Sequence, residues 1–149
     1  MARPGDTAEI LRRLKQVHPD SVGRWGRMSA HQMICHLADA CRMATGAKPV
    51  RHIGRLPQRT IVKWIALYVP LRWPPGIATT TEIDQASGGT KPEDFAADIA
   101  QLEAALELIS RPATTFHAPG HPIFGRMSRA AWLRWAYLHA DHHLRQFGA

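Results

Sequence analysis

Apolar residues recur at helical spacing in four stretches of the chain. In the first, Asp6 to Val17, Ile10, Leu11, Leu14 and Val17 fall on one face with Arg12, Arg13 and Lys15 opposite, and His18-Pro19-Asp20 ends the run. The second opens at Ser29, where Ser29-Ala30-His31-Gln32 matches a capping box, and extends to about Thr45 before Gly46. Its stripe is Met33, Ile34, Leu37, Cys41 and Ala44. The third is predicted from Thr90, with Thr90-Lys91-Pro92-Glu93 as its cap, to about Ser110; Phe95, Ile99, Leu102, Leu106 and Ile109 alternate by four and three, as the core face of a bundle requires. The fourth begins at Ser128, carries Trp132, Trp135, Leu138 and several histidines, and stops at Gly148.

The roughly forty-five residues between the second and third stretches exceed a plain loop, so structure of their own is expected there. Ile61, Trp64, Ile65 and Tyr68 predict a short amphipathic helix from about Pro57 to Val69. After it, Pro70, Pro74, Pro75 and Gly76 demand an extended path, and Ala86-Ser87-Gly88-Gly89 a loop. The pattern is all-α: one domain over residues 1–149, built as a helical bundle whose middle pair of helices is joined by a long crossover containing a short extra helix. Gly-Arg-Met-Ser occurs twice, at Gly26–Ser29 and Gly125–Ser128, each copy leading into a histidine-bearing helix.

Composition narrows the class without choosing a function. At 149 residues, 45% hydrophobic and 21% charged, the chain is neither disordered nor fibrous, and it is long enough for one sizeable core. Cys35 and Cys41 form no CxxC pair, which removes thiolate zinc and dithiol redox motifs and fits a reducing, cytoplasmic setting. Met1 to Leu14 has no apolar signal core, and no stretch approaches the ~20 apolar residues of a bilayer span. The net charge of +7 is unevenly placed: Arg42, Lys48, Arg51, Arg55, Arg59, Lys63 and Arg72 sit in a stretch without an acid, and the rest of the chain balances. Three readings suit that basic segment: a clamp for an anionic ligand, an interfacial helix on a membrane, or a solvated face over a packed apolar stripe. No recognition-helix motif accompanies it, so specific nucleic-acid binding is not expected.

Chemistry concentrates in the histidines. His139 and His143 are one turn apart, separated by only ~40° around the helix axis, so two imidazoles can converge on one ion. His36, two turns into the second helix, is the candidate third ligand. The alternative is a set of solvated or core histidines, with His31 and His142 as further exposed members; Asp39 and Asp141 are close enough in sequence to orient imidazole rings. Cys35 reads as a buried small hydrophobe rather than a nucleophile, and most of Trp25, Trp64, Trp73, Trp132 and Trp135 as core or rim. No GxSxG elbow, P-loop or GxGxxG is present.

The stretch from Trp25 to Asp39, WGRMSAHQMICHLAD, resembles the second-helix motif of the DinB/YfiT-like superfamily, in which a capping Ser or Thr precedes a metal-binding His. HADHHLRQ at His139–Gln146 is similar to that superfamily's HxxHHxxQ pattern, and the whole C-terminal stretch from His121 resembles a bacterial branch of mostly unassigned function. The resemblance implies an antiparallel four-helix bundle holding one divalent ion through His36, His139 and His143, and because borderline imidazole ligands suit both, zinc or nickel is the expected ion. It also implies candidate activities, since some members transfer low-molecular-weight thiols to electrophiles and others are described as hydrolases. The expectation is a metal-dependent enzyme acting on a small molecule, with an anionic substrate favoured by the basic segment, a low-molecular-weight thiol as candidate cosubstrate and a homodimer as candidate assembly. The competing expectation is a non-catalytic metal- or ligand-binding module. An open coordination position facing a pocket separates the two.

Overall fold

The computed structural model describes residues 1, 3, 5–77, 79–118 and 120–149, and among them it contains helices and no strands. The order is α1 (Asp6–Leu14), α2 (Ala30–Thr45), α3 (Lys63–Tyr68), α4 (Phe95–Ser110) and α5 (Arg129–Gln146). A π-helical turn, Gln58–Val62, leads into α3, and a 3-10 turn, Thr81–Ile83, precedes α4. None of these helices is long and apolar enough to cross a membrane.

The predicted stripes make the core. Met33, Ile34, Leu37, Cys41 and Ala44 of α2 meet Leu102, Leu106 and Ile109 of α4 and Ile10 and Leu14 of α1, with Trp132, Trp135 and Leu144 of α5 closing the cluster. Helix α2 packs most extensively against α4, and both α1 and α5 touch the pair. Because it is buried on nearly every side, α2 also carries His36 and Asp39 into the interior.

Local signals set the ends. Ser29 Oγ accepts the Gln32 N–H at 3.1 Å and Gln32 Oε1 accepts the Ser29 N–H at 2.9 Å, completing the capping box at a typical worth of about 1 kcal/mol. Two boundaries differ from expectation. Helix α1 ends at Leu14, and 3-10-type bonds carry the chain on so that Val17 is still buried. Helix α4 starts at Phe95, capped by Asp94, whose Oδ1 accepts the Ala97 N–H at 2.8 Å. Thr90 lies upstream of the helix and bonds Asp39 instead, its amide and hydroxyl donating at 2.8 and 2.7 Å. Arg13, expected on the solvent face of α1, is buried and pairs with Asp141 at 2.8 Å, tying α1 to α5.

Asp39 is completely buried and gathers donors from widely separated segments: Lys48 Nζ at 2.7 Å, Gln85 Nε2 at 3.1 Å, Thr90, and Arg42 at 3.2 Å. Burial alone would push its carboxyl pKa up, but the Lys48 ammonium and the two Thr90 donors outweigh that and hold it below the ordinary aspartate value. A depressed folded-state pKa adds stability above the unfolded value near 3.8 and loses it as pH falls through the folded value. Asp39→Asn should therefore cost about 3 kcal/mol at neutral pH, measured by urea denaturation. The gap from wild type should begin to close below about pH 4, where the unfolded chain takes up the proton, and close fully only below the folded-state value, where the native carboxyl is protonated too; a gap constant with pH would show that shape, not charge, matters here.

Candidate metal centre

The two Gly-Arg-Met-Ser copies are structural twins. Gly26 and Gly125 take positive φ, and three residues later Ser29 and Ser128 sit in matching extended conformations as N-caps. The Ser128 hydroxyl accepts the Ala131 N–H at 3.2 Å. Each turn thus launches a histidine-bearing helix, and α2 and α5 pack so that their histidines face one another.

His36, His139 and His143 do come together. Their ligand nitrogens all lie within 4.8 Å of one another, His36 Nε2 and His139 Nε2 are 3.1 Å apart, and the three ring centroids are 4.8 to 5.0 Å from each other. Tetrahedral ligation by imidazoles at ~2.0–2.1 Å needs nitrogens separated by a little over 3 Å, so the spacing suits one ion with small ring movements. Tautomers agree with this. His36 Nδ1 donates to the Ile83 carbonyl at 2.7 Å, leaving the Nε2 lone pair for the centre. His143 Nδ1 donates to Gln146 Oε1 at 2.9 Å; the Gln146 amide is oriented because its Nε2 donates to the Trp25 carbonyl at 2.7 Å. A Cβ added at Gly26 would lie 2.7 Å from that same Nε2, so glycine is required there for space as well as for φ.

The groups that hold the rings are not those expected. Asp39 is engaged by Lys48, Gln85 and Thr90, and Asp141 by Arg13 and Arg145; neither bonds a ligand imidazole. The partners are a backbone carbonyl, which no side-chain pattern announces, and Gln146, the last residue of the HxxHHxxQ run.

His142 is buried rather than exposed, its ring between Trp25 and Trp73 at centroid distances of 5.7 and 6.2 Å, and it stands outside the triad. His31 is half-buried and pairs with Asp98 at 2.7 Å. With Cys35 these two make a second ligand-type cluster, but Cys35 Sγ donates to the same Asp98 oxygen at 3.5 Å, and burial together with Asp98 pushes its thiol up to about 12. That set is a hydrogen-bonded group whose thiol is kept protonated by burial and Asp98.

The triad faces a cavity of about 810 Å³. Its wall is largely apolar, with Trp25, Trp73, Ile65 and Phe124 prominent; Arg27 and Arg72 supply positive charge, and Asp84 is the only carboxylate among the described lining residues. Thr80 Oγ1, Gln85 Oε1 and His142 Nδ1, all on residues lining this cavity, are buried without a hydrogen-bond partner among the described residues. The basic segment borders the cavity through Val62, Ile65, Leu71 and Arg72, while Arg51, Arg55 and Arg59 stand outside its wall. His121 is a lining residue that sequence spacing did not single out. Its Nδ1 accepts the Ile123 and Phe124 N–H groups at 3.2 Å each, which places the proton of the neutral ring on Nε2.

Burial keeps these imidazoles neutral. It holds His143 and His121 down at about 3, and lowers His36 and, with its histidine neighbours adding to the effect, His139. The unfolded chain takes up protons near pH 6.5 where the fold refuses them, so stability of the metal-free protein should be flat above about pH 7 and fall from 6.5 toward 3. The slope should approach about 1.4 kcal/mol per pH unit for each buried histidine. Urea midpoints that stay constant between pH 7 and pH 5 would contradict this.

No curated protein and no solved structure matches the chain. A family model does match, over residues 4–149, and the chain belongs to that family, described as a protein of unknown function (DUF1569).

Proposed function

We propose that His36, His139 and His143 hold one divalent ion, zinc or nickel, within an antiparallel four-helix bundle of the DinB/YfiT-like type, and that the protein is a metal-dependent enzyme acting on a small molecule. The observation that carries this reading is the convergence of three neutral imidazoles at the wall of a cavity large enough for a substrate. With three protein ligands an ion there would keep a position for a further ligand, as catalytic rather than structural sites do.

An ion held there supplies Lewis acidity, polarising an electrophile and acidifying a water or a low-molecular-weight thiol. The chain's own residues do the rest. Ile83 and Gln146 fix the ring orientations of His36 and His143. Trp25, Trp73 and Phe124 exclude bulk water and wall the apolar part of a substrate. Arg27 and Arg72 favour an anionic group on it, and Thr80, Gln85 and His142 offer unpaired polar atoms to orient it. His121 carries a neutral ring with its proton on Nε2 beside the same space.

The test is elemental analysis of untagged protein loaded with zinc or nickel and dialysed. One ion per chain is expected for wild type and for His142→Ala, and none for His36→Ala, His139→Ala or His143→Ala. Gln146→Leu should keep the fold and weaken metal affinity about 10- to 100-fold. Assays of metal-free and loaded protein on ester, amide and thiol-plus-electrophile panels then separate hydrolase from thiol-dependent S-transferase. Metal-independent rates throughout would leave a non-catalytic binding module.

A further inference from the structure

The crossover helix is inside out. Ile61, Trp64, Ile65 and Tyr68 recur at the spacing of one helical face, and all are exposed, at 69%, 61%, 41% and 49%. Leu56 at 77% and Leu71 at 65% extend the patch at either end. Only Leu67 of α3 is buried, and Lys63 lies along the surface, its Nζ donating to the Arg126 carbonyl at 3.1 Å. Of the three readings of the basic segment, a solvated face over a packed apolar stripe does not hold for this helix: the stripe faces outward, and Arg55, Arg59 and Arg72 are exposed as well.

Isolated exposed apolar residues need no explanation, but a contiguous set on one helix does. We propose that this face docks peripherally on an anionic lipid bilayer surface. Two observations beyond the patch itself select that occupant. The first is charge: Arg42 and Lys48 are taken up by Asp39 and Arg51 by Glu82, but Arg55, Arg59 and Arg72 stand exposed beside the patch, so a second copy laid face to face would set like charge against like, whereas anionic headgroups complement it. Trp64 and Tyr68 are also the side chains that suit the headgroup level, and a basic border around an apolar face is the composition of an interfacial helix. The second is continuity with the cavity. Val62, Ile65, Leu71 and Ile77 belong to the exposed patch and line the cavity as well, so the apolar wall of the pocket runs out onto the docking face. A docked protein would thus present its cavity to the bilayer, a route for amphiphilic molecules that partition there. The docking does not depend on metal.

Co-sedimentation of the full chain with vesicles tests this. Vesicles of equal parts phosphatidylcholine and phosphatidylglycerol should carry the protein down, vesicles of phosphatidylcholine alone should not, and added salt should release it. Leu56→Ser/Ile61→Ser/Trp64→Ser should abolish sedimentation with an unchanged thermal midpoint, since these three side chains are the most exposed of the patch on the crossover helix. Arg55→Gln/Arg59→Gln should weaken binding about tenfold or more. Trp64→Phe should still bind but lose most of the blue shift in tryptophan emission that wild type shows on anionic vesicles. The proposal is overturned if folded wild type ignores anionic vesicles, or if the triple serine variant binds them equally. It is also overturned if wild type dimerises in sedimentation equilibrium, the triple variant does not, and neither meets lipid, which would make the face a contact between copies.

Discussion

The carboxylate of Asp39 is the constraint around which the crossover and the site are arranged. It lies on the buried side of α2, one turn beyond His36, and its donors come from both ends of the long excursion between α2 and α4: Lys48 at the start, Gln85 and Thr90 at the finish. A buried carboxylate is costly unless several donors meet it, so the chain must return to this one point from either side. The return has a direct consequence two residues before Gln85. It brings the Ile83 carbonyl to His36 Nδ1, and that bond leaves the Nε2 lone pair for His139 and His143. One buried charge therefore links the path of the crossover to the tautomer of an imidazole.

On the α5 side the same result is reached differently. A short chain of polar contacts runs from the Trp25 carbonyl through the Gln146 amide to His143 Nδ1, joining the loop before α2 to the last turn of α5. Both ends of the site thus depend on segments flanking the helices rather than on neighbouring helical carboxylates. The cavity beside the triad is apolar with a few polar atoms left unpaired, a composition that suits binding one small molecule in one orientation.

The features legible in the sequence were those set by spacing along one helix. The Ser29–Gln32 box, the twin Gly-Arg-Met-Ser turns and the four-residue separation of His139 and His143 each fix a geometry within a few residues, and the structure shows all three. What escaped was set by contacts across the fold. Thr90-Lys91-Pro92-Glu93 has the letters of a cap, yet Thr90 bonds Asp39 and the helix begins at Phe95, capped by Asp94. Arg13 reads as a surface residue until Asp141 approaches it from α5. The stripe of Ile61, Trp64, Ile65 and Tyr68 predicts a helix correctly, but periodicity does not say which way a face points, and this one points outward. The Ile83 carbonyl has no side-chain signature at all. His121 would have been found only by noticing that the residues leading into the second Gly-Arg-Met-Ser turn fold back on themselves, with His121 and Gly125 bonded to each other at 2.8 Å in both directions.

Whether three histidines from two helices share one ion is decided by X-ray absorption of protein carrying one equivalent of zinc. The expected spectrum has a first shell of nitrogen and oxygen with three imidazole contributions at ~2.0–2.1 Å and no sulfur, unchanged in His142→Ala. A sulfur shell near 2.3 Å would move the ion to the Cys35, His31 and Asp98 cluster, and a shell with fewer than two imidazoles would remove the metal centre described here.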